Sequence, residues 1–132
     1  MIFCFGIYCN TDNFRSKYYS AKKKEKKNEI VLEWVEFALH NDHSEVDSLI
    51  RAQKSRLSQF TDNQKFEICF YALLYANLTN KENLIPLSQS NFKPYSLEYN
   101  LLTGLESCLN GEAIENLTLQ NLQENNLDNN CR

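Results

Sequence analysis

The residues with the widest chemical options lie close together. Glu29, Glu33, Glu36 and His40 fall at i, i+4, i+7 and i+11, with His43 just beyond, so on a helix they form one narrow stripe. Carboxylates and imidazoles at such spacings can reach one cation, which makes Glu33, Glu36, His40 and His43 the candidate metal ligands. The stripe lacks the Glu-x-x-His pairs on facing helices that di-iron bundles use, and its plainer reading is the solvated face of an amphipathic helix. Cys4-x4-Cys9 with His40-x2-His43 offers two sulfurs and two nitrogens to zinc, but neither spacing is that of a zinc finger. The expectation is that the chain carries no metal and no cofactor.

Covalent chemistry has less to stand on. Cys69 or Cys108 as a nucleophile needs a neighbouring base and a lowered pKa, and the two histidines both lie near one turn, so burial as small apolar side chains is the simpler role. There is no glycine-rich phosphate loop, no Gly-x-Ser-x-Gly elbow and no Cys-x-x-Cys pair. Tyr71 and Tyr75 are four apart, as are Tyr95 and Tyr99. If the helices that carry them face each other, these phenols with Phe66, Phe70 and Trp34 line an aromatic pocket, the alternative being a packed aromatic core with its hydroxyls at the edge. Arg15, Lys17, Lys22, Lys23, Lys24, Lys26 and Lys27 are interleaved with Phe14, Tyr18 and Tyr19. Such a stretch can track a phosphate backbone while rings stack on bases, or it can be a solvated segment.

The elements that position these residues follow from hydrophobic periodicity. From Phe66 to Leu78 only Glu67 and Asn77 interrupt apolar or aromatic residues, so a helix here has no polar face and must be buried. At about 1.5 Å per residue it is too short to cross a bilayer, so protein must bury it. Thr61 and Gln64 have the spacing of a capping box, which predicts a central helix over 62–78. A helix-turn-helix made of 44–60 and 62–78 fails because its second helix has no polar face for bases.

Before the central helix, apolar residues surround most of 29–40, with Asn28 as expected cap because lysines sit badly at a helix N-terminus. Ser44 with Asp47 resembles the cap of a second helix reaching Phe60 through Val46, Leu49, Ile50 and Leu57. Short turns imply that these three helices run antiparallel, neighbour to neighbour. Pro86 and Pro94 make 80–94 the longest internal loop, and a fourth helix is expected from Tyr95 or Ser96 to Leu109, stopped by Asn110-Gly111. Gly104 inside that helix points to a close helix crossing. Asn-Leu recurs at 116–117, 121–122 and 126–127. That period of five resembles the pentapeptide-repeat pattern, but three turns are too few for a solenoid, and the expectation is an Asn-rich, partly disordered segment with a short helix over 112–122.

The 132 residues fit one domain, and three glycines with two prolines are too few for a turn-rich β fold. The fold class expected is all-α: a compact bundle of about four principal helices over 28–111, preceded by an apolar then basic segment over 1–27 and followed by an acidic segment over 112–132. Residues 2–9 are an apolar strand, strap or leader, and they lack the basic flank and cleavage site of a signal peptide. Five cysteines at irregular spacing suit reduced thiols, and so a cytoplasmic setting, better than a disulfide framework. A net charge of -3 argues against coating nucleic acid with the whole surface. The function expected is non-enzymatic: an adaptor, assembly factor or regulatory subunit that binds a protein partner, or a second copy of itself, through surplus apolar helix surface or the 80–94 loop. Nucleic-acid binding through 14–27 is the first alternative and a small ligand- or metal-binding helical protein the second; no membrane role is expected.

Overall fold

The described residues form six α-helices: α1 (Ile7–Ser20), α2 (Lys24–Asn41), α3 (His43–Lys54), α4 (Asp62–Thr79), α5 (Leu97–Leu109) and α6 (Asn116–Glu124). The computed structural model describes residues 7–87, 92–93, 96–112 and 115–131, and no strand occurs among them. Residues 1–6 of the apolar N-terminal stretch, and with them Cys4, lie outside that set; residues 7–9 begin α1.

Helix α4 lies among α2, α3 and α5, as its apolar circumference requires. Its start is the expected capping box: the Thr61 hydroxyl accepts from the Gln64 amide at 3.2 Å, and the Gln64 side chain accepts from the Thr61 amide at 3.1 Å. Its end is Asn80 in the left-handed conformation at φ 55°, which lets the Lys81 amide return to the Ala76 carbonyl.

Side-chain pairs fix the helix directions. Asn28 meets Gln64 and Glu36 meets Tyr71, so α2 and α4 run parallel. Trp34 meets Glu45 and Tyr75 meets Asp47, so α3 runs against both. The antiparallel succession expected from the short turns is therefore present. α1 adds another antiparallel layer, with Phe14 beside Phe37 and Lys27 over Tyr18. The C-terminal ends of α4 and α5 share one cavity lined by Leu73, Ala76, Asn77, Glu106 and Leu109, so these two helices run parallel. Between α4 and α5, Ile85 and Phe92 are buried against the bundle.

Several boundaries depart from expectation. α2 begins at Lys24, and Asn28 is fully buried in its second turn, not a cap. Exposed lysines at a helix start lose only about 0.3–1 kcal/mol to the dipole, less than the buried contacts Asn28 makes. Asn28 donates to the Gln59 carbonyl at 2.9 Å and to Gln64 Oε1 at 3.1 Å, and accepts from Arg56 at 3.1 Å. α3 is capped by Asp42, whose carboxylate accepts from the Ser44 amide at 3.1 Å, so Ser44 is inside the helix. That helix stops at Lys54; a short 3-10 turn at Leu57–Gln59 then buries both Leu57 and Phe60.

The segment beyond Gly111 also differs. Helix α6 packs on α5, where a Cβ at Gly104 would stand 2.5 Å from Thr118 Cγ2, the close crossing that the glycine implied. Leu122 is fully buried, and Cys131 is disulfide-bonded to Cys108, with their Cα atoms 4.7 Å apart. This pair corrects the expectation that the cysteines are reduced. Spacing could not reveal it, because the chain must fold back over a sequence separation of 23 before the sulfurs meet.

Candidate functional site

The parallel α2 and α4 leave a groove between them whose walls carry one sign of charge. Glu25, Glu29, Glu33 and Glu36 succeed one another along α2, all four exposed, and Glu67 stands opposite on α4. Leu32 and Tyr71 line the same groove, which encloses about 390 Å³. The register comes from Asn28, which ties the second turn of α2 to the first turn of α4 and so places Glu36 beside Tyr71 about two turns further on. The Tyr71 hydroxyl donates to Glu36 Oε2 at 2.6 Å. Burial and then the hydrogen bond to that carboxylate push the Tyr71 pKa up, holding the phenol as a donor.

Glu67 shows what the crowding does. Partial burial, and then the negative charge of Glu36, raise its carboxyl pKa above the ordinary value. The charge of Glu36 opposes ionisation of Glu67, and a bound cation would relieve that opposition. Lys26 pairs with Glu29 at 3.4 Å on the rim, where both side chains are well exposed.

The other candidate residues are placed as follows. Trp34 donates to Glu45 at 3.0 Å and stacks on Phe14, with the Arg15 guanidinium 6.0 Å from its ring, so it anchors α1 to the bundle. Tyr75 donates to Asp47 at 3.3 Å and meets the edge of His43 on the α3 side, whereas Tyr71 faces α2. Phe70 stacks on Phe66 and tilts against Tyr71, while Tyr99 packs on Phe92. The aromatic residues are thus distributed among separate contacts, and Tyr95 lies outside the described residues. Glu33 and Glu36 face the acidic groove, while His43 contacts the Leu39 carbonyl and Tyr75. Among the described residues no three His, Cys, Asp or Glu side chains gather closely enough to hold one metal ion. The Cys9 side chain is outside the described set. Cys69 is buried, and burial pushes its thiol up to about 12, the reverse of nucleophile activation.

The basic stretch is helical through Ser20 and again from Lys24. Lys22, Lys23, Lys24 and Lys26 are exposed around the bend between α1 and α2, and Lys17 is exposed on α1. Lys27 lies 4.9 Å over the Tyr18 ring, so it is partly engaged in holding α1 in place.

No protein-family model matches this chain, and no curated protein or solved structure is similar to it. Its chemistry must be read from its own geometry. Sequence reasoning missed Glu25 and Glu67 as members of the groove. Glu25 was submerged in the lysine run, and Glu67 was one of two polar breaks in an apolar helix; the charged break at Glu67 was the available signal.

Proposed function

We propose that the chain is a non-enzymatic protein-interaction module whose acidic α2–α4 groove receives a basic segment of a protein partner. The observation that supports this reading is the gathering of five carboxylates around one groove, with Glu67 held beside Glu36 against its own ionisation. A side chain that costs stability where a neutral one would fit is a mark of function. The long α2 face offers charge complementarity over several turns, and Leu32 and Tyr71 give the aliphatic stems of lysine or arginine something to pack on.

Charge replaces the apolar surplus from which an interaction role was first expected. α1, α3 and α5 cover most of the apolar surface of α2 and α4, and the large apolar residues left exposed among those described are Tyr19, Leu78, Leu97 and Leu117, on four different helices. Scattered single residues of this kind need no partner. Self-association is a form of the same reading, with the lysine bend of a second copy as the basic segment.

The test is fluorescence anisotropy with a labelled short peptide rich in lysine and arginine. The triple variant Glu33→Gln, Glu36→Gln, Glu67→Gln is expected to bind about tenfold or more weakly, the loss of three moderate charge contacts. Equal binding by the variant refutes the groove as the site.

A second reading rests on a separate observation. Four exposed lysines stand around the α1–α2 bend, close in sequence to Tyr19, which is 73% exposed. Single-stranded RNA would meet phosphate-binding charge and a ring for stacking there, with affinity falling steeply as salt rises. Replacing Lys22, Lys23, Lys24 and Lys26 by glutamine separates the two readings, because it abolishes RNA binding and leaves the basic peptide bound.

A further inference from the structure

We propose that the Cys108–Cys131 bond is a reducible clasp: it holds residues 115–131 against one face of α5, and a dithiol reductant releases that segment while the α1–α5 bundle stays folded. Few side chains of this segment are buried: Leu122 fully, with Leu127 and Cys131 partly buried against the core. Helix α6 has nine residues, below the roughly 12–15 at which an isolated helix becomes even marginal in water. Its first turn has no side-chain cap, since Glu115 makes no capping hydrogen bond. Its packing is on α5 and on the 3-10 turn Asp128–Asn130, and Leu122 is its one fully buried side chain. Leu117, on the same helix, is 65% exposed.

The face of α5 that receives the segment is built from small residues. Thr103, Gly104 and Ser107 line the crevice between the two helices, and Cys108 adjoins them. Glycine there admits Thr118 to a distance that any side chain would block. Shape complementarity therefore sets the seat, and the covalent bond keeps the segment in it. Closing a loop over a 23-residue separation lowers the entropy of the released state, which is where a clasp acts.

The chemistry is thiol–disulfide exchange. Cys131 is partly exposed whereas Cys108 is buried, so a thiolate of the dithiol attacks the Cys131 sulfur. Cys108 leaves as a thiolate and takes up a proton. The second thiol of the reductant then displaces Cys131 from the mixed disulfide, giving two protein thiols and one cyclic disulfide of the reductant. Release uncovers the Thr103, Gly104, Ser107 face together with the socket of Leu122.

Two measurements on the full chain test the clasp. Non-reducing digestion at glutamates cuts at Glu112 and Glu115, between the two cysteines, so the fragments stay joined only through sulfur. Hydrogen exchange is then followed by mass spectrometry with and without dithiothreitol. Reduction is expected to speed exchange of the α6 amides at least about tenfold, while α2 and α4 keep their protection. The Cys108→Ser, Cys131→Ser double variant is expected to match the reduced chain; should it fail to fold, the reduced wild type decides alone. Unlinked fragments, unchanged α6 protection on reduction, or equal loss of protection in α2 and α4 each overturn the proposal.

Discussion

Replacing Asn28 by alanine is the most searching perturbation of this architecture. The side chain is fully buried and bonded on three sides: it donates to the Gln59 carbonyl and to Gln64 Oε1, and accepts from the Arg56 guanidinium. Neutral hydrogen bonds contribute about 0.5–1.5 kcal/mol each and bonds to a charged group about 1.5–3 kcal/mol. Three independent losses would sum to about 4 kcal/mol, but two partners have recourse. Gln64 Oε1 keeps the Thr61 amide, and Arg56 keeps Gln53 and is partly open to water. The expected loss is therefore about 2–3 kcal/mol, to which a small cavity adds. Urea unfolding followed by far-UV circular dichroism measures it; at a slope of about 1.5 kcal/mol per molar urea the midpoint falls by about 1.3–2 M. Asn63→Ala, an exposed change in the first turn of α4, is the control. A loss under about 0.5 kcal/mol, or a coupling of zero between Asn28→Ala and Arg56→Ala in a double-mutant cycle, would refute the network as the pin that sets the α2–α4 register.

Other outcomes follow from single contacts. Glu67 has a folded-state pKa raised above its unfolded value, so its penalty is present in full above the folded pKa and disappears below the unfolded one, near pH 4. Glu67→Gln should accordingly raise the melting temperature near pH 7 and lose that advantage as pH falls toward about 4; a gain independent of pH would contradict the charge crowding. Gly104→Ala brings a Cβ against Thr118 and should cost about 1–2 kcal/mol after the gain in helix propensity, with Thr118→Ser restoring most of it; the same denaturation assay decides, and an additive pair of effects would show that the two residues do not touch. Thr61→Ala removes one half of the α4 capping box and should cost about 1 kcal/mol; no loss would mean that the cap is replaced by water.

How much of this was legible in the chain depends on how local each feature is. α4 is written plainly, because its cap, its apolar run and its left-handed stop all lie within twenty residues of one another. α5 and its glycine crossing were legible for the same reason. The first lysines of α2 were misread because a dipole rule applies to an isolated helix, whereas Asn28 is held by residues 31 and 36 positions away. The helical form of residues 10–20 was hidden for a related reason: α1 is polar along most of its length and is fixed by Phe14 and Tyr18 meeting Trp34, a contact no local pattern announces. The acidic stripe on α2 was visible from spacing alone, as was its solvated character. That Glu67 joins it across a groove depends on the parallel register of two helices separated by α3, and so became visible only with the fold.

The measurement that tests the acidic groove most directly is residue-by-residue amide mapping by NMR, with the isotope-labelled full chain titrated with the lysine- and arginine-rich peptide. The account predicts saturable shifts concentrated at Glu29, Glu33, Glu36, Glu67 and Tyr71, with the far sides of α3 and α6 unmoved. Shifts spread evenly over every acidic surface residue, or centred away from the α2–α4 groove, would contradict it.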